Sequence, residues 1–92
     1  MPLPQVAGIR RITGQSTSAS VGADGMLSHV ITLTGSDGRF LPIAIKVTTA
    51  STNKFVAVQG AKIGEITVLC ANEDASAGTV VIDFEAWGID EV

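Results

Sequence analysis

Side chains that could act as nucleophile or base near neutral pH are scarce in this 92-residue chain: one histidine, His29, and one cysteine, Cys70. His29 alternates with Ile31 and Leu33, a pattern that predicts a partly buried, hydrogen-bonded imidazole rather than a general base. Cys70 stands in a Val-Leu-Cys-Ala run, the setting of an inert core thiol, because nucleophilic cysteines need accessible, electropositive surroundings. One His and one Cys do not make a structural zinc site. The acidic turn Asn72-Glu73-Asp74 lacks the spaced oxygen ligands of an EF-hand loop. Asp83 and Glu85 are two apart, which puts them on one face of a strand, and Trp87 continues that series. An aromatic ring beside paired carboxylates suits a sugar or another small polar ligand. A solvated strand face explains the same spacing. These residues predict no catalytic group, no metal and no cofactor.

Charge narrows the partners. Only 16% of the residues are charged, 46% are hydrophobic, and the formal net charge is −3. Nucleic-acid binding needs clustered Lys and Arg with stacking aromatics. Arg10-Arg11 is a lone pair and tyrosine is absent, so no nucleic-acid partner is expected. No apolar run approaches the roughly 20 residues of a membrane helix, and Met1-Pro2-Leu3-Pro4-Gln5 lacks the pattern of a secretory signal. Residues 1–62 hold all six basic groups and two acids, while residues 63–92 hold seven acids and no Lys or Arg. Two readings follow. Either the halves neutralise each other across neighbouring strands, or complementary surfaces of adjacent molecules select a docking orientation, with Arg10 and Arg11 meeting acidic protein.

The elements that position these residues are strands. Ten Val, nine Ile and nine Thr favour a pleated surface over a helix. Residues 1–8, with two prolines, read as an extended arm ahead of a single β domain over 9–92. Ile9–Thr13 predicts a short strand, and Gly14–Gly25 a loop or edge strand. Met26–Thr34 and Arg39–Thr49 are β-rich runs around Gly35-Ser36-Asp37-Gly38, which predicts a hairpin. In the second run Leu41, Ile43, Ile45 and Val47 alternate toward one face, and Pro42 implies an edge or a bulge. Asn53–Gln59, turned by Gly60, and Lys62–Ala71 follow; Ile66, Val68 and Cys70 share a face. After a polar turn over Asn72–Gly78, Thr79–Ile89 directs Val80, Ile82, Phe84 and Ala86 one way. About six to seven strands without an amphipathic helix predict an all-β fold, an antiparallel β-sandwich or small barrel with an extended N-terminal arm.

Apolar residues also fall on the other face. Phe40, Leu69, Val81 and Trp87 oppose the inward series, which predicts either bulges that bury them or a surface covered by another subunit. On the second reading Phe40, Leu69, Val81 and Trp87, with Arg10 and Arg11, anchor contacts in a symmetric homo-oligomer.

The Met1–Gly8 arm, the Thr34-Gly-Ser-Asp-Gly38 hairpin and the strand Val80-Val-Ile-Asp-Phe-Glu-Ala-Trp87 give the chain an architecture that resembles the small all-β decoration, or cement, proteins of tailed-phage capsids. The resemblance implies a non-enzymatic structural protein that binds a larger assembly such as a major capsid protein, with the arm reaching across neighbouring capsomers. It implies a trimer or dimer bound at capsid symmetry points, and a virion location after assembly in the host cytoplasm. The alternative is a carbohydrate- or small-ligand-binding module of a fibre or surface protein that uses Trp87 with Asp83 and Glu85.

Overall fold

The computed structural model describes residues 8–33 and 39–90. They form six strands: β1 (Arg10–Thr17), β2 (Met26–Thr32), β3 (Phe40–Thr48), β4 (Lys54–Lys62), β5 (Glu65–Asn72) and β6 (Val81–Asp90). No helix occurs among the described residues. The strands make two antiparallel three-stranded sheets, ordered β1-β6-β3 and β2-β5-β4. Phe40, Ile82 and Ala86 of the first sheet and Ile31, Ile66, Val68 and Cys70 of the second belong to a single buried cluster. Val21, Leu33 and Val80, from the connections, complete it. The central strands β5 and β6, each with a partner on both sides, supply half of this core.

Chain order crosses repeatedly between the sheets. Only β4 and β5 are consecutive and paired, so the hairpin expected between Met26–Thr34 and Arg39–Thr49 does not form. β2 and β3 lie in different sheets, and the turn residues 34–38 are outside the described residues. The ends that a hairpin would have joined are bridged by the β4–β5 turn instead. Leu33 N–H donates to Gly64 O, and Gly64 N–H donates to Phe40 O, both at 2.8 Å. Gly64 has φ 81°, a left-handed conformation that a side chain disfavours.

Two strands depart from regular alternation. A bulge between Pro42 and Ala44 leaves Ile43 without a partner on β6. Before it Phe40 faces the core; after it Ile45 and Val47 do. Leu41 and Ile43, expected inside with Ile45 and Val47, are therefore exposed. A second bulge lies between Val58 and Gly60. Gly60, expected to end its strand, is thus part of the bulge, and β4 continues to Lys62. β1 likewise extends beyond the expected Ile9–Thr13 and takes in Gln15–Thr17, where a loop was the competing expectation.

One end of the domain is tied by a buried amide. Asn72, 2% exposed, donates through Nδ2 to the carbonyls of Val21 (3.1 Å), Gly22 (3.3 Å) and Ser76 (2.9 Å). Its Oδ1 accepts from Asp74 N–H at 2.9 Å. Asp74 in turn binds Asn53 Nδ2 (2.7 Å) and Lys54 Nζ (2.6 Å). Three connections are held together by this network.

Candidate functional site

The outer face of the β1-β6-β3 sheet carries most of the chemistry. Alternation directs Val81, Asp83, Glu85 and Trp87 of β6 outward, away from buried Ile82 and Ala86. The register places Arg11 beside Trp87, Thr13 beside Glu85 and Gln15 beside Asp83 on one side. Ala44, Lys46 and Thr48 stand opposite the same three residues on the other side. Arg11 Nη2 lies 3.2 Å from Glu85 Oε1, and Gln15 Nε2 donates to Asp83 Oδ1 at 2.9 Å. A shallow depression of about 510 Å³ lies over Asp83 and Glu85, walled by Arg11, Thr13 and Gln15 from β1 and by Lys46 and Thr48 from β3. Its walls offer cationic, amide and hydroxyl groups around two carboxylates. Trp87 stands one row beyond it.

The outer face of the β2-β5-β4 sheet is different. Its rows read Met26–Ala71–Phe55, Ser28–Leu69–Ala57, Val30–Thr67–Gly60 and Thr32–Glu65–Lys62. The first three rows hold no charged residue. Met26 is 71% exposed, Phe55 54% and Val30 50%. Ser28 Oγ donates to Gln59 Oε1 at 2.6 Å across the strand that carries Leu69.

The six residues expected to form an interface do not share one surface. Phe40 is fully buried, so as the chain folds here it cannot anchor an external contact; the β3 bulge sets its direction. Leu69, half-buried, faces outward on the β2-β5-β4 sheet. Val81 and Trp87, also half-buried, face outward on the β1-β6-β3 sheet with Arg11. Arg10 grips Asp90 with two nitrogens, Nε–Oδ2 at 2.7 Å and Nη2–Oδ1 at 2.8 Å, and its guanidinium sits 5.4 Å from the Phe40 ring centre. Both arginines thus meet carboxylates of their own chain. Lys54–Asp74 (2.6 Å) and Lys62–Glu65 (3.0 Å) also join the basic and acidic parts of the sequence. These pairs accord with the first of the two charge readings, neutralisation within the molecule.

His29 is half-buried, and its Nε2 lies 2.8 Å from Ser16 Oγ. A serine beside a histidine is one element of a hydrolytic site, and no spacing signals this pairing because Ser16 and His29 lie in different sheets. The contact ties β1 to β2, and no carboxylate among the described residues bonds the other ring nitrogen. Cys70 is fully buried, and desolvation pushes its thiol pKa up, which opposes thiolate chemistry. Among the described residues no three His, Cys, Asp or Glu side chains converge as metal ligands.

No protein-family model matches the chain, and it has no significant match among characterised proteins or solved structures.

Proposed function

We propose that the chain is a non-enzymatic accessory protein that associates with copies of itself and with a larger protein assembly, the tailed-phage capsid being the assembly its architecture suits. In this reading the two sheets form a β-sandwich; the arm expected over residues 1–8 lies, but for Gly8, outside the described residues. The observation that carries the proposal is the outer face of β2-β5-β4, uncharged in its first three rows, with Met26, Val30 and Phe55 exposed. Large exposed apolar side chains gathered on one sheet face favour contact over isolation. Phage particles induced from the host that carries the gene test it. They should contain the chain in stoichiometric amounts, and Phe55→Lys should fold but be missing from them. Particles free of the wild-type chain overturn the proposal.

A second reading is supported by the depression beside Trp87. Carboxylates that accept from paired hydroxyls, donors on either side and a nearby indole suit a saccharide. Titration with a glycan panel should then give a signal that Trp87→Ala abolishes without changing the oligomeric state. A panel without any signal removes this reading.

A further inference from the structure

We infer that β2 is the strand through which two copies of this chain join, pairing antiparallel with β2 of the second copy about a two-fold axis near His29. The inference rests on the self-association part of the function proposed above and adds its location and symmetry.

The backbone supplies the first argument. Asn72 N–H donates to Gly25 O at one end of β2, and Leu33 N–H donates to Gly64 O at the other. With the register between them, these bonds direct the odd-numbered peptide groups of β2 toward β5. The N–H and C=O groups of Met26, Ser28, Val30 and Thr32 therefore point to the free edge, where no described strand pairs with them.

The second argument is the uneven protection of the four edges. β3 is interrupted by its bulge and carries Pro42; β4 is interrupted by its bulge and carries Lys54 and Lys62. Bulges, prolines and lysines are the common means of blocking edge-to-edge pairing. β1 carries two arginines. β2, Met-Leu-Ser-His-Val-Ile-Thr, has a continuous register with β5 and no Lys, Arg, Asp, Glu or Pro.

Symmetry supplies the occupant. An antiparallel copy centred on His29 sets Ser28 opposite Val30 and Met26 opposite Thr32, so the free peptide groups of both strands meet one another. Half-buried Leu27 meets Ile31 on the inner face, His29 meets its own copy at the axis, and no Lys, Arg, Asp or Glu is opposed. The uncharged Ser28 and Val30 rows then continue from one copy into the next, and the Met26 row of each copy meets the Thr32 row of the other.

Sedimentation velocity on the full chain from 1 to about 100 µM tests the proposal, with Val30→Pro and Val30→Lys as variants. Proline at 30 removes an N–H that points to the free edge and leaves the β2–β5 ladder intact. Lysine at 30 replaces a half-exposed outward side chain and decides the matter if the proline variant does not fold. The expected result is a wild-type dimer and monomeric variants whose circular dichroism matches the wild type. A dimer that survives in a folded Val30 variant overturns the assignment to β2 while leaving self-association in place. A wild-type monomer overturns the dimer, and slow exchange of the Ser28 and Val30 amides in that monomer would show that another segment of the same chain covers the edge. Particle incorporation is read separately, so the capsid role can stand or fall without this interface.

Discussion

Asn72 does more for the fold than its place in a polar turn suggests. The inward series Ile66, Val68, Cys70 runs two residues further to an amide, and its hydrogens reach carbonyls from two connections. Removing it leaves Ser76 O and Asp74 N–H without the partner that satisfies each here, at about 1–3 kcal/mol apiece, while Val21 O and Gly22 O keep backbone donors. Asn72→Ala should lower stability by about 2–4 kcal/mol in urea unfolding, and a change below about 0.5 kcal/mol would contradict the network. Asp74, bonded to Lys54 and Asn53, has its carboxyl pKa lowered by these side-chain hydrogen bonds and by the charge of Lys54, against a smaller opposing effect of desolvation. A depressed folded-state value stabilises the fold in full above the ordinary aspartate value near 3.8 and is lost as pH falls through the depressed one. Acid unfolding profiles of wild type and Asp74→Asn should therefore converge below that range and separate above it.

β5 and β6 were readable from alternation because a central strand keeps strict period two. Ile66, Val68 and Cys70, and likewise Ile82 and Ala86, are buried as their spacing implies. β3 and β4 were not. A bulge adds one residue and reverses the faces beyond it, so the even run Leu41, Ile43, Ile45, Val47 hid a break at Ile43. The shared face of Asp83, Glu85 and Trp87 followed from spacing alone. Arg11 and Lys46 beside them did not, because cross-strand register leaves no mark in a single sequence. The same distinction predicts amide exchange. Amides of β5 and β6 should exchange slowest, and those of β3 around Ile43 and of β4 around Gln59 faster, in native-state hydrogen exchange read by NMR. Uniform protection across all six strands would contradict the bulged edges.

Across the molecule, ion pairs join the basic sequence before residue 63 to the acidic sequence after it. Three of them involve at least one side chain that is more than 40% exposed, so each contributes at most about 1 kcal/mol. Screening by salt acts on that small contribution. Raising NaCl from 0.05 to 1 M should change unfolding stability by less than about 2 kcal/mol, and collapse of the fold in salt would show that charge rather than burial holds the sheets together.

β6, the last of the described strands to leave the ribosome, is the middle of its sheet. Until it is synthesised, β1 and β3 have no hydrogen-bonding neighbour, and any product cut short before residue 81 leaves both as lone ribbons beside a half-built domain. Translation must therefore pass β6 before that sheet can exist, and chains interrupted ahead of it are natural clients of chaperones and proteases.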